Sequence, residues 1–432
     1  MVPWWRTDFG ERDIALVSEA IRNRHISQGP VTRKFEEALA EVIGVPYVCC
    51  TTSGTTALTM ALRAAGVGRG NEVLVPNRTW IATAHAVMMT GAKVRLVDVG
   101  PRGVLDDTDG KTTGSEAASS SHHGASEHLH HIFRSAEEQA TLGVGRHWRR
   151  LGNLPSDANL PVSPYEGDDA HAYSEHGIQG NTADLSDPAF LRNLNRYAQR
   201  DCSTETPAKQ VIPVHLNGRF AHVPRGSIED SCQAFPLSPR GLAACYSFST
   251  AKLLPTGQGG AVATLNEGFY RECLALRTHA IEDAFNPVPV TWSRFGYNFR
   301  YTDIQAAIGL AQLETLKERI ERLHEIRRFY EIGRPEYLEL LPCDGVPLYT
   351  EILCANSERL RAYLLDHEIQ ARPNYPSLHT APYLRPDHRG SYANYEFPNS
   401  RRFESGLTLP SGPAQTDADV KTVIECLHAY QQ

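Results

Sequence analysis

Lys252 has the setting that most invites chemistry. It stands in YSFSTAKLLPTGQGGAV, residues 246–262, between a short apolar run and a Gly-rich loop. A lysine in an enclosed site can attack an aldehyde and form a Schiff base with it. Ser247 lies just upstream, and Gly257, Gly259 and Gly260 let backbone approach closely. On spacing alone, a solvent-exposed lysine after a strand is the commoner occurrence. In SIEDSCQAF, 227–235, Asp230 ends a strand at its carboxyl edge, where α/β proteins place ligand-binding groups. A carboxylate there could hold a pyridinium N–H, or it could cap a helix. TSGTTAL, 52–58, joins the strand-like YVCC to the helix-like LTMALRAAGV. Gly54, Thr55 and Thr56 could offer N–H groups and the positive end of the helix dipole to a phosphate. Ser and Thr at a helix start are also ordinary N-caps. Trp80 follows Thr79 at the end of another strand, where its ring could stack on a ligand or fill the core.

These residues need an alternating α/β scaffold, and the pattern supplies one. EVLVP (72–76) and VRLVDV (94–99) are apolar runs of the buried-strand kind, and TWIATAHAVMMTGA (79–92) reads as a crossover helix ending at Gly91. QVIPVHL (210–216), SIED (227–230), ACYSFS (244–249) and GGAVATL (259–265) read as further strands. A long helix is expected from Thr302, which stands at capping-box spacing from Gln305. After Arg334, LYTEIL, ERLRAYLLDHEI and DADVKTVIECLHAY suggest a smaller α/β domain.

The chain has 432 residues, enough for two or three domains, and a net charge of −7 that supplies no general basic field for nucleic acid. Nine scattered cysteines without a C-x-x-C pair suggest neither a disulfide framework nor a zinc ribbon. A cytoplasmic protein without a membrane span is expected. Residues 106–184 are polar and rich in Ser, Gly, Pro and His, which predicts a surface insertion without a packed core. Its His122, His123, His128, His130 and His131 lack a ligand frame, so a solvated loop is favoured and no metal is expected.

Seven ordered segments together resemble the DegT-type sugar aminotransferases. They are ISQGPVTRKFEEALAEVIGVPYVCCTTSGTTALTMAL, VPNRTWIATAHAV, IPVHLNGR, IEDSCQAF, SFSTAKLLPTGQGGAV, GYNFRYTDIQAAIGLAQL and RPNYPSLH. The resemblance implies dependence on pyridoxal 5′-phosphate and the aspartate-aminotransferase (type I) fold. That fold has a large domain with a mixed, mostly parallel sheet, here 1–105 with 185–325, and a small C-terminal α/β domain, here 326–432. Carried over residue by residue, it makes Lys252 the Schiff-base lysine and Asp230 the partner of the pyridine nitrogen. Gln233 would lie beside the ring or its 3-hydroxyl, and Trp80 would stack on the ring. Gly54, Thr55 and Ser247 would hold the phosphate, with Asn298 reaching across from the second subunit of a homodimer. Ser27 and His379 match positions near the substrate.

The activity implied is amination of a keto sugar, nucleotide-linked, with L-glutamate as donor, for a cell-surface polysaccharide or a secondary-metabolite sugar. The family's dehydratase branch carries histidine at the lysine position, so Lys252 argues against it. A cyclitol aminotransferase and a cofactor-binding protein without turnover are the other readings. Two departures from the family pattern stand out. Residues 100–209 replace a short turn and helix, of which LSDPAFLRNLNRYAQ (185–199) resembles the helix. Conversely, only about eight residues separate IPVHLNGR from IEDSCQAF, where members have a helix. Loss of that helix is expected to expose apolar surface.

Overall fold

Short, fully apolar runs make up the centre of the computed structural model, which describes residues 1–106, 210–281, 294–384 and 397–431. All of these belong to one unit of the chain, Met1–Ser121 with Thr204–Gln432. The polar stretch beyond Asp106, its histidines and the helix expected over 185–199 lie outside the described residues.

The strands that carry the site are β1 (Tyr47–Thr51), β2 (Glu72–Pro76), β3 (Lys93–Val97), β4 (Gln210–Val211), β5 (Ile228–Asp230), β6 (Ala243–Ser247) and β7 (Gly260–Thr264). Ladder pairing gives the orders β3-β2-β4 and β5-β6-β7-β1. A parallel bridge between Val214 and Asp230 joins the two sheets beside β4. Only β7 runs antiparallel to its neighbours, so the expected mixed, mostly parallel sheet is present. The strand expected over 210–216 is regular only at Gln210 and Val211 and then pairs at isolated points, because Pro213 has no N–H for a ladder.

Helices α1 (Glu11–Arg22), α2 (Pro30–Ile43), α3 (Gly54–Ala64), α4 (Ala82–Thr90) and α5 (Glu267–Arg277) pack around this sheet. Of these, α3 lies on β6 and β7 and touches α4 and α5. The crossover helix begins three residues later than expected, which leaves Thr79, Trp80 and Ile81 in a loop, and it ends at Gly91 in the left-handed conformation. The long helix expected from Thr302 is two, α6 (Asp303–Glu314) and α7 (Leu316–Gly333). Thr315 separates them with φ −111° and ψ 15°, and its hydroxyl turns back toward the Gln312 carbonyl at 3.5 Å. Only half of the expected capping box forms: Thr302 Oγ1 accepts from the Gln305 N–H, while the Gln305 carboxamide donates to the Gln258 carbonyl. No helix among the described residues is long and apolar enough to cross a membrane.

A second, antiparallel sheet follows in the order β10-β11-β9-β8, from β8 (Glu339–Leu340), β9 (Thr350–Leu353), β10 (Arg372–Pro373) and β11 (Gly406–Leu409). Helices α8 (Ser357–Asp366) and α9 (Asp417–Ala429) bury Leu360, Leu364, Val420 and Val423 in its core with Ile326 and Tyr330 of α7. The first residues of the chain join this core, where Val2 bridges Ile369.

The apolar surface expected from the shortened 219–226 segment is absent. Ile212, Val214, Leu216, Ala221 and Ile228 are all buried. Asn217 and Gly218 take positive φ (52° and 80°) and reverse the chain, so that Leu216 and Arg219 exchange backbone hydrogen bonds. Two other segments cover the turn: the Asp344 and Gly345 N–H groups donate to the Gly218 carbonyl, and the His222 N–H donates to the Leu105 carbonyl.

The turn also delivers Arg219 to a buried ionic triad. Glu351 of β9 accepts from Arg78 at 2.6 Å through Oε1 and from Arg219 through Oε2, with all three side chains at most 3% exposed. Arg78 also donates to the Gly103 carbonyl and lies over the Phe403 ring. Burial alone would raise the Glu351 carboxyl, but Arg78 and Arg219 outweigh it and bring it down to about 2. Burial lowers Arg78 to about 10 despite the attraction of Glu351. A carboxyl depressed in the fold stabilises it above the ordinary glutamate range and loses that share as pH falls toward about 2. Glu351→Gln leaves two buried cations uncompensated and should cost about 3–5 kcal/mol near neutral pH, read from urea unfolding. The gap from the parent protein should narrow as the pH is taken below about 4.

Candidate active site

The carboxyl ends of β1, β2, β5 and β6 lie along one edge of the sheet, and this edge gathers the residues singled out above. Successive strand residues face opposite sides, so Glu229 and Asp230 part company. Glu229, fully buried, accepts from the Arg240 and Gly241 N–H groups at 2.6 Å each and pairs with His215 Nε2 at 3.0 Å. His215 Nδ1 accepts from the Ala221 N–H, so the ring proton sits on Nε2 and is donated to Glu229. Asp230 turns to the other side, where the Thr83 hydroxyl of α4 donates to Oδ2 at 2.7 Å and the Cys232 N–H donates to Oδ1 at 3.1 Å. Thr79 lies within hydrogen-bond distance of Thr83, at 2.9 Å. Asp230 is thus no helix cap; two donors fix its carboxylate.

Beside it α3 begins. Ser53 is the N-cap and accepts from the Thr56 N–H, and the Thr56 hydroxyl accepts from the Ser53 N–H. The capping reading is therefore right for Ser53, while the N–H groups of Gly54 and Thr55 have no acceptor among the described residues. Gly54 packs so closely that a Cβ there would lie 2.7 Å from Cys232 Sγ and 2.9 Å from Ser247 Cβ. Ser247, at the end of β6, thereby sits against the first turn of α3.

Lys252 lines one pocket with Ser247, Cys232, Gln233, Phe235 and Val346. It is half-buried, and no described residue hydrogen-bonds or ion-pairs its ammonium; Tyr349 is the nearest ring, 6.0 Å to the centroid. The Tyr349 hydroxyl donates at 2.5 Å to the Ala251 carbonyl, fixing the backbone next to the lysine. Gln233 donates through Nε2 to the Tyr375 hydroxyl at 2.9 Å, and its buried Oε1 has no partner among the described residues. Trp80 is 56% exposed, so it is not a core aromatic, and its ring meets Tyr375 at 5.3 Å. Burial pushes the Cys232 thiol well above its ordinary range, with Asp230 adding to the rise, so the thiol stays protonated.

The remaining residues arrive from further off. His379 meets Asn77, the residue after β2. Ser27 is exposed in the loop before α2, a loop that Asp303 organises: its carboxylate accepts from the N–H groups of Gly29, Val31 and Thr32 and from the Thr32 hydroxyl. The Asp303 N–H donates to the Ser27 carbonyl. Asn298 is exposed, accepts from Arg300 Nε at 3.0 Å and does not line the pocket.

Sequence reasoning missed Thr83, Tyr375, Asp303 and Asn77. The Thr79/Thr83 spacing, one helical turn, was a signal for the first. Asp303 reads from sequence as an acidic residue in a first turn, which hides that it caps a different helix. Taken together, the edge offers an unpartnered amine, a fixed buried carboxylate, N–H donors at a helix start and an amide acceptor. That set suits covalent capture of an aldehyde with a heteroaromatic ring and a phosphate attached.

Solved structures with this fold are numerous. Sugar aminotransferase CalS13 from Micromonospora echinospora superposes with a TM-score of 0.70 at 19% identity over 100% of both chains. NtdA from Bacillus subtilis, solved with bound cofactor PMP, gives a TM-score of 0.65 at 21% identity over 97% of this chain and 81% of its own. These likenesses show the fold. A GDP-perosamine synthase of Caulobacter vibrioides is 27% identical over 98% of this chain and 95% of its own length. The model of the DegT/DnrJ/EryC1/StrS aminotransferase family matches residues 7–109 and 198–428, and the chain belongs to that family.

Proposed function

We propose that this protein moves an amino group from glutamate to the keto group of a nucleotide-linked sugar, serving polysaccharide or natural-product sugar synthesis, and that it works as a cytoplasmic homodimer. Aminotransferases of its family depend on pyridoxal phosphate. The sugar acceptor is supported by relatives named GDP-perosamine synthase and UDP-4-amino-4,6-dideoxy-N-acetyl-beta-L-altrosamine transaminase. The observation that carries the reading is Lys252, an amine without a hydrogen-bond partner among the described residues, lining one pocket with Ser247 and Gln233.

The residues fit the cofactor. Gly54 and Thr55 keep two N–H groups for a phosphate, and the close approach of Gly54 to Ser247 leaves no space for a side chain in that cradle. The buried Oε1 of Gln233 lacks a donor among the described residues, and Asp230 is a buried acceptor at the same edge. Pyridoxal phosphate, when bound, supplies an electron sink for the carbon that carries the amine. Lys252 Nζ would be the covalent anchor and, once released, would carry the proton from the donor carbon to the cofactor's aldehyde carbon. Asp230, oriented by Thr83 and the Cys232 N–H, keeps a proton on the ring nitrogen. Trp80 covers the ring, Asn298 completes the phosphate site of the partner subunit, and Ser27 and His379 meet the substrate. Residues 1–105 with 185–325 bind the cofactor, and 326–432 close the site from the other side.

Borohydride reduction of the cofactor-loaded protein should place the cofactor's mass on the peptide bearing Lys252; label on any other lysine would overturn the assignment. With glutamate, the loaded protein should pass to the pyridoxamine form, and a keto-sugar nucleotide should reverse it. Bound cofactor that stays unchanged in glutamate would instead mark a protein without turnover. Thr83→Val removes one donor to the Asp230 carboxylate and should lower kcat about 10- to 100-fold with little change in cofactor content, measured by single-turnover absorbance.

A further inference from the structure

The backbone on both sides of Lys252 is gripped by residues distant in the chain. The Thr7 hydroxyl donates to the Thr250 carbonyl at 3.1 Å, the Tyr349 hydroxyl to the Ala251 carbonyl at 2.5 Å and Arg319 Nη1 to the Leu253 carbonyl at 3.3 Å. A carbonyl can only accept, so the direction of each bond is fixed. Within the loop, the Lys252 N–H donates to the Ser249 carbonyl at 3.0 Å and the Thr256 N–H to the Phe248 carbonyl at 2.8 Å, which closes a turn around the lysine. Two of the three grips lead back to the first eight residues. Trp5 Nε1 donates to the Thr7 hydroxyl oxygen at 2.7 Å, and that hydroxyl aims its own proton at Thr250. Arg319 Nη2 donates to the Asp8 carbonyl at 2.9 Å, so one buried guanidinium ties this segment to the loop. The segment is seated in turn on residues 411–415. The Ser411 N–H donates to the Trp4 carbonyl and the Ala414 N–H to the Arg6 carbonyl, each at 3.3 Å, and Gln415 Nε2 donates to the Pro3 carbonyl. A Cβ on Gly412 would lie 2.4 Å from the Arg6 nitrogen, so the two segments meet with no space for a side chain. Trp4 and Trp5 meet the Tyr349 ring at 5.2 and 5.4 Å between centroids, which joins the third grip to the other two.

We propose that Thr7, Tyr349 and Arg319 are positioning residues that clamp the backbone on either side of Lys252 and so hold its amine ready for the cofactor's aldehyde. A lysine stem is long and flexible, and fixing its base limits the space that Nζ explores. The clamp stands on the hydrogen bonds alone; only its use toward the cofactor rests on the function proposed above. The first arm of the test uses full-length protein without cofactor and reads amide hydrogen exchange by mass spectrometry. Thr7→Val deletes one donor with little change of shape, and Tyr349→Phe deletes another while keeping the ring. Each should speed exchange of the peptide 248–256 about tenfold and leave β1 and β2 as in the parent protein. Thr7→Ser keeps a hydroxyl and should exchange as the parent does. Unchanged exchange of 248–256 in both Thr7→Val and Tyr349→Phe overturns the clamp, and so does a rise spread equally over β1 and β2, which would mark a general loss of stability. The second arm adds pyridoxal phosphate and traps its link to Lys252 with borohydride at timed intervals. Capture should slow about tenfold in Thr7→Val and Tyr349→Phe and match the parent in Thr7→Ser. Faster exchange with an unchanged rate of capture overturns the positioning role. Capture by Lys252 in the parent without amino transfer from glutamate to a keto-sugar nucleotide counts against the proposed function and leaves the clamp standing.

Discussion

The alternation of side chains along β5 is the constraint on which the site depends. Two adjacent carboxylates, Glu229 and Asp230, face opposite sides of one three-residue strand, and each is satisfied by a different part of the chain. Glu229 is saturated by two backbone N–H groups and His215, which anchors the strand from behind. Asp230 can therefore be held in front by only two donors and still keep its place. A strand this short has few ladder hydrogen bonds of its own, so the polar contacts of Glu229 set its position as much as the sheet does.

The same division of labour recurs around the edge. The start of α3 caps itself through Ser53 and Thr56 and leaves Gly54 and Thr55 with open N–H groups. Tyr349 grips the backbone beside Lys252 and leaves the ammonium alone. Gln233 is tied at Nε2 by Tyr375 and open at Oε1. In each case the scaffold fixes a residue by one group and presents another, which is how a site can be rigid before any ligand arrives.

The placement of Lys252, Asp230, Gly54 and Trp80 was legible because each lies at or a few residues beyond the carboxyl end of a strand, a local pattern that also marks the ligand edge of an α/β sheet. The resemblance to a family supplied the roles that spacing alone left open. Thr83, Tyr375, Asp303 and Asn77 were not legible, because their partners lie far along the chain: Asn77 and His379 are 302 residues apart, and Thr83 and Asp230 are 147 apart. The break at Thr315 was hidden for the opposite reason. It is a local backbone choice inside a run whose apolar spacing continues unchanged. The expected exposure near 219–226 failed because residues 102–105 and 343–346, distant in sequence, cover the surface that a helix would have covered.

The Arg78, Glu351 and Arg219 triad carries a consequence for the history of this sequence. Its members come from a loop after β2, a tight turn and a strand of the second sheet, and each is sealed from water. Glu351 changed alone strands two guanidinium charges in the interior, loss of either arginine still leaves the carboxylate a counter-ion, and an apolar set of matching volume would be tolerated. Single-step drift at Glu351 is therefore blocked, and relatives that lose this carboxylate should lose both arginines with it. Loss of the carboxylate and loss of both arginines should be inherited together, although 273 residues separate the first site from the last.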